Sequence, residues 1–314
     1  MTAKFLGPII STDSADTWTH LLVSAFGMRV VAQQNLSAGE VEAFWGIGGH
    51  SAATIWFETP GTPYGIRVLQ LTPTSSICIR DPNSGYDCNA LKVIDFFTAD
   101  FDAARAKLEQ AGFHLKDEIA EYDTDSGHIT EGHLWGPDGV VCALVAGPRD
   151  FLSEFVSITD RVVSEVHSVS APVDNQAAVV GFYASLGLHE VHRYEVTDES
   201  FQHLVGAKDP LHIRAINVGS VRHEPYLGVL HYGLPVGTYK SLAERARLPH
   251  RGLVGATIRV PNVQAATAAC QQAGATLLAG PVLEQLQPFG AVTTSAVRAP
   301  HGVLHQLLEY PSNA

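Results

Sequence analysis

The chain has 314 residues, 46% of them hydrophobic and 17% charged, enough for two ordinary domains with full cores and no highly charged tail. A formal charge of −12 without a basic stripe disfavours nucleic-acid binding, and no apolar run approaches the ~20 residues needed to cross a bilayer. The expected partner is therefore a small molecule, with no nucleic acid and no membrane.

The first unit, about residues 5–73, opens with a β-rich run, followed by a helix-like stretch (Trp18, Leu21, Leu22) that closes at Gly27. Gly46-Ile47-Gly48-Gly49 lacks the spacing of a dinucleotide loop and reads as a hairpin turn. The second unit, about 91–146, repeats the order, with a helix ending at Gly112 and Gly136-Pro137-Asp138-Gly139 before its last strand. Residues 147–164 read as a connection containing one short helix. The third unit starts with a strand at 165–171, and Pro172-Val173-Asp174-Asn175 supplies a stop and an N-cap. Val179, Phe182, Tyr183 and Leu186 then lie on one helical stripe, and Gly187 suits the left-handed position past the helix end. Runs at 189–196, 200–205, 211–218 and 226–232 read as strands. The fourth unit has a strand at 253–260, a helix opened by Pro261-Asn262 and closed by Gly274, and strands near 277–278, 292–298 and 303–310.

These landmarks repeat. Gly27 and Gly187 are 160 residues apart, Gly112 and Gly274 are 162 apart, and Gly139 and Gly302 (in Ala299-Pro300-His301-Gly302) are 163 apart. Three offsets near one value imply a duplicated half, each half made of two β-α-β-β-β units. The fold class is α+β, with curved, open mixed sheets. Two domains are expected, one over 1–150 and one over 160–314, each a pair of consecutive units around a trough. Four units in one chain allow a monomer as well as a homo-oligomer. Cys78, Cys88, Cys142 and Cys270 show neither metal spacing nor a disulfide framework, and the start lacks an export pattern. A cytoplasmic location is expected on both grounds.

The stretch Val173-Asp174-Asn175 through Phe182-Tyr183-Ala184-Ser185-Leu186-Gly187, with the Gly-Pro-Asp-Gly and Ala-Pro-His-Gly turns, resembles the vicinal oxygen chelate superfamily. That superfamily includes glyoxalase I, bleomycin-resistance proteins and type I extradiol dioxygenases. The resemblance covers nearly the whole chain and implies two glyoxalase-like domains. It also implies metal ligands on the first and last strands of paired units. The last-strand positions align as Gln70, Ala143, His231 and Gln306, and the first-strand positions as Leu6 or Gly7, Val93, His167 and Gly255. The second half thus offers His167, His231 and Gln306, and the first half Gln70 with Asp95 nearby. The dioxygenase triad is incomplete, since Gly255 stands where a second histidine belongs and Gln306 where a glutamate belongs.

The resemblance implies an enzyme acting on a small oxygenated organic molecule, aromatic ones included. A divalent metal (Fe, Mn, Zn, Ni or Co) on His167, His231 and Gln306 would chelate substrate oxygens for lyase, isomerase or dioxygenase chemistry. His167, His231 and Tyr232 are the candidate catalytic residues, with the second half carrying the site and the first half structural. The alternative has no cofactor: the trough binds or sequesters a small apolar ligand, or uses histidine acid–base chemistry alone.

Overall fold

The computed structural model describes residues 2–124, 127–235 and 237–310. The first unit comprises β1 (Lys4–Thr12), α1 (Ala15–His20, continued by a π turn over Leu21–Ala25), β2 (Arg29–Leu36), α2 (Ala38–Trp45), β3 (Ser51–Glu58) and β4 (Gly65–Thr72). The second comprises β5 (Val93–Thr98), α3 (Phe101–Gln110), β6 (Ile119–Thr124), β7 (Gly127–Trp135) and β8 (Val141–Ala146). The connection carries α4 (Arg149–Leu152). The third unit has β9 (Val166–Pro172), α5 (Gln176–Ser185), β10 (His189–Val196), α6 (Glu199–Val205), β11 (Ile213–Gly219) and β12 (Tyr226–His231). The fourth has β13 (Gly252–Arg259), α7 (Val263–Gln272), β14 (Thr276–Leu286), β15 (Gly290–Arg298) and β16 (Leu304–Glu309).

One local device starts the first helix of every unit. Ser14, Asp100, Asn175 and Asn262 each accept a hydrogen bond from the main-chain N–H three residues on, satisfying a donor the helix leaves free. The repeat glycines Gly27, Gly112, Gly187 and Gly274 all adopt positive φ, between 65° and 90°, just past the helix ends. Two expected elements are corrected. Residues 200–205 form α6 rather than a strand, because Asp198 caps the Ser200 N–H (2.8 Å) and Phe201, Leu204 and Val205 bury one face before Gly206 turns left-handed. Gly46 closes α2 at φ 72° instead of joining two strands of a hairpin.

The described residues form two curved eight-stranded mixed sheets, but their membership differs from the division at 1–150 and 160–314. One has the order β14-β15-β16-β13-β1-β4-β3-β2 and joins the first unit to the fourth. The other runs β10-β11-β12-β9-β5-β8-β7-β6 and joins the second to the third. Antiparallel pairing of β1 with β13, and of β5 with β9, makes each union. The helices α1, α3, α5 and α7 lie between the sheets: Trp18, Leu108, Phe182 and Cys270 pack in one core with Phe5 and Ile258 of the first sheet and Phe96 and Val169 of the second. Each sheet turns its other face to a trough. No helix among the described residues is long and apolar enough to cross a membrane.

The troughs differ. In the first sheet the concave face is filled by Phe44 and Trp45 of α2, Trp56, Leu71, Leu304 and Leu308, with Leu242 and Leu248 packed over them. The second sheet encloses a cavity of about 660 Å³.

Candidate functional site

The cavity is walled by all eight strands of this sheet, β5 to β12, and Phe201 of α6 and Phe151 and Phe155 from the connection after β8 border it. Alternation along a strand decides which side chains reach it. On β12, Tyr226, Gly228 and Leu230 line the cavity, as does Tyr232 just beyond, while Leu227 and Val229 join the core between the sheets. His231 shares their parity and is therefore turned away. Its Nδ1 accepts from the Gly233 N–H (3.0 Å) and from Arg214 Nη2 (3.2 Å) on the half-exposed outer side. Burial and the Arg214 cation lower its pKa.

The four expected site residues thus separate. His167 and Tyr232 line the cavity and His231 does not. Gln306 lies on β16, in the trough of the other sheet, registered beside Thr257 and Ala296, with neither amide atom hydrogen-bonded. Among the described residues no three His, Cys, Asp or Glu side chains are gathered closely enough to hold a metal. The metal set expected on His167, His231 and Gln306 does not fit this arrangement.

His167 sits at an irregularity of the β5–β9 ladder, where Asp95 pairs with Ser168 but Phe96 pairs with Val166. Its ring stacks on Phe97 (centroids 3.5 Å, 19°) and meets Tyr226 edge-on (5.7 Å). Burial pushes its pKa down to about 3, so the ring is neutral, and its buried Nδ1 has no partner.

The ionisable centre comes from residues outside the expected set. Glu131 and His133 alternate on β7 and both face inward. Glu131 accepts from the Tyr122 hydroxyl (3.0 Å) and, through its other oxygen, pairs with His133 Nε2 (2.9 Å). Burial lowers the His133 pKa, with the Glu131 contact opposing. Asp95 accepts a short hydrogen bond from the Ser168 hydroxyl, yet burial and the nearby Glu131 charge push its pKa up to about 7. Lys92, immediately before β5, donates to the Tyr232 hydroxyl (3.1 Å). Tyr194, Tyr226 and Asn217 also border the cavity, and no side-chain hydrogen bond ties them to other described residues. A signal for this centre exists in the sequence: Lys92 and Asp95 are charges inside the apolar run Leu91–Phe97, and buried charge requires compensation.

No family sequence model matches the chain, and no curated protein matches it in sequence. Solved structures do match. Glyoxalase I from Zea mays superposes with a TM-score of 0.65 at 12% identity, over 98% of this chain and 92% of that one. A provisionally named dioxygenase from Bacillus subtilis superposes with a TM-score of 0.60 at 10% identity, over 99% and 86%. The chain shares the two-domain fold of these glyoxalase-like structures. At these identities the likeness carries architecture, so activity must be argued from the cavity itself.

Proposed function

We propose that the cavity between the second and third units is the functional site, and that it takes a small oxygenated, mainly aromatic organic molecule. The supporting observation is a partly open cavity with aromatic walls (Phe97, Phe155, Tyr226) and a polar centre of Asp95, Glu131 and His133. Pockets of this size, apolar with a few convergent polar groups, suit small ligands. The chemistry proposed is proton transfer next to a ligand carbonyl or phenol, in the manner of an isomerase or lyase. Asp95, half-protonated near neutral pH, moves the proton. Tyr122 and His133 hold Glu131 in a fixed orientation, so its charge stabilises a cationic partner or accepts a second proton. The Tyr194 and Tyr226 hydroxyls are donors for an oxygen that becomes negative. The reading corresponds to the cofactor-free alternative drawn from the sequence, with carboxyl groups replacing the two-histidine set. A second reading, binding without turnover, is favoured by Val141, Ala143, Val145 and Leu230 on the cavity face of the last strands β8 and β12.

The test uses 4-hydroxyphenylacetone in deuterium oxide, with exchange of its acidic C–H followed by proton NMR. Binding with exchange that Asp95→Asn removes supports the catalytic reading. Binding with exchange no faster than in buffer leaves sequestration. An absence of binding to this and related phenols sinks both.

A further inference from the structure

Lys92 has no part in that scheme, and its surroundings are unusual for a lysine. Its main chain is pinned on both sides: its N–H donates to the Ser170 carbonyl (2.8 Å) and its carbonyl accepts from the Val141 N–H (3.3 Å). The residue is 2% exposed, and its amine borders the cavity, 5.6 Å from the Tyr232 ring centroid. Among the described residues the amine's only hydrogen bond goes to the neutral Tyr232 hydroxyl, and no carboxylate forms an ion pair with it. By contrast Lys4 and Lys116 are paired with Glu224 and Glu118 near the surface, and Lys208 and Lys240 are exposed. Lys107, whose pKa burial and Arg161 also lower, is only half-buried and does not line the cavity.

We propose that Lys92 is an amine nucleophile that captures the carbonyl carbon of an aldehyde or ketone ligand in this cavity as an imine. The proposal rests on the cavity being the small-molecule site. The nitrogen lone pair forms the C–N bond while the C=O π pair moves to oxygen, which takes a proton from Tyr232 or Asp95. The nitrogen returns one proton to that group, leaving a neutral carbinolamine. The same group then protonates the hydroxyl, which departs as water while the nitrogen lone pair forms C=N, and the nitrogen's second proton restores the donor. Amine and carbonyl become imine and water, with no oxidant or reductant required.

The electrostatics fit a neutral amine. Burial, with the Arg80 and Lys116 cations, pushes Lys92 down to about 7 against the opposing charges of Glu131 and Asp95. Arg80 is itself buried and gives its hydrogen bonds to the carbonyls of Leu91, Ser84, Asp87 and Ala90 rather than to a carboxylate. Its positive charge therefore bears on the amine that follows this loop.

The experiment is reductive trapping of the full chain with 4-hydroxybenzaldehyde and cyanoborohydride near pH 7.4, read by intact mass and peptide mapping. At that pH a surface lysine is only about one-thousandth neutral, whereas an amine titrating near 7 is mostly so. Labelling of Lys92 at least ~100-fold above the exposed lysines Lys208 and Lys240 is expected, and excess 4-hydroxybenzyl alcohol should suppress it at Lys92 alone. Lys92→Arg should remove the adduct, with Lys92→Met as the second variant and circular dichroism checking that each is folded. Labelling spread over exposed lysines with none at Lys92 overturns the proposal. Alcohol binding, followed by intrinsic fluorescence, separates the two failures: alcohol bound without an adduct removes the imine and keeps the cavity reading, whereas no binding of either compound removes both.

Discussion

Asp95→Asn isolates the carboxyl at the centre of the cavity. A carboxyl whose pKa is raised by folding stabilises the folded state fully below its unfolded value, near 3.9, and loses that contribution as pH rises through the folded value, here about 7. Across that window the wild-type chain should lose about 1.4 kcal/mol per pH unit from this group, or about 4 kcal/mol in all. Asp95 lies deep in the fold but is partly open to the cavity, and solvent there screens the effect, so about 2–4 kcal/mol is expected. The asparagine variant keeps an acceptor for the Ser168 hydroxyl and has nothing to titrate. Urea unfolding of both proteins at half-unit steps from pH 4 to 7.5 should show the variant gaining on the wild type as pH rises. Histidines that titrate in the same range are common to both proteins and cancel in the difference. Parallel profiles would refute the argument that this carboxyl is desolvated beside Glu131.

Three further outcomes follow from the geometry. His231→Ala should leave binding of 4-hydroxybenzyl alcohol unchanged, because the ring lies outside the cavity, whereas His167→Ala should weaken it several-fold by removing the ring stacked on Phe97; equal effects in a fluorescence titration would contradict the placement. Gln306→Leu replaces a buried amide with both polar atoms unbonded by an apolar group of similar size, and thermal unfolding should show a gain of about 1 kcal/mol; a loss of that size would mean the amide is satisfied. His301, buried against Tyr183 with its pKa pushed down to about 3, contributes stability that is present above about 6.5 and lost as pH falls through 3; His301→Gln should flatten that acid limb, measured by denaturant midpoint against pH.

The architecture was legible because its marks are local. Cap residues and left-handed glycines recur at fixed offsets, and neither depends on which unit pairs with which. Sheet membership depends on long-range strand pairing, and the three possible pairings of four similar units leave the same local marks. That is why Asp95 and His167, assigned to different halves, share one cavity. The candidate site failed on phase. Aligning Gln70 and His231 with Ala143 and Gln306 treats all four last strands as facing the trough. In the first and third units that position is turned away from the trough: Gln70 accepts from the Ala15 N–H at the start of α1, and His231 bonds to Arg214 of β11. A one-residue slip in a strand exchanges its faces, and composition alone does not reveal it. The α6 segment failed on period: its apolar residues Phe201, Leu204 and Val205 are spaced i, i+3, i+4, which is a helical pattern and not the alternation of a strand.

The same offsets explain why one trough is closed and the other open. Trp56 pairs with Arg67 across β3 and β4, and the equivalent pair across β11 and β12 is Asn217 with Gly228. The indole and the guanidinium, stacked at 5.0 Å and both fully buried, occupy the first trough, and their counterparts leave the second empty. Thr257, Thr294 and Ala296 of the fourth unit stand where the second has Asp95, Glu131 and His133, so the closed trough also lacks the acid–base groups. Open space and carboxyl chemistry thus occur together in one trough, and the other has neither. A scaffold with no ligand to bind has no physical reason to retain buried carboxyls and an unpaired amine around an empty volume, since each costs stability. Their coincidence in the second trough supports the proposal that this cavity is the functional site.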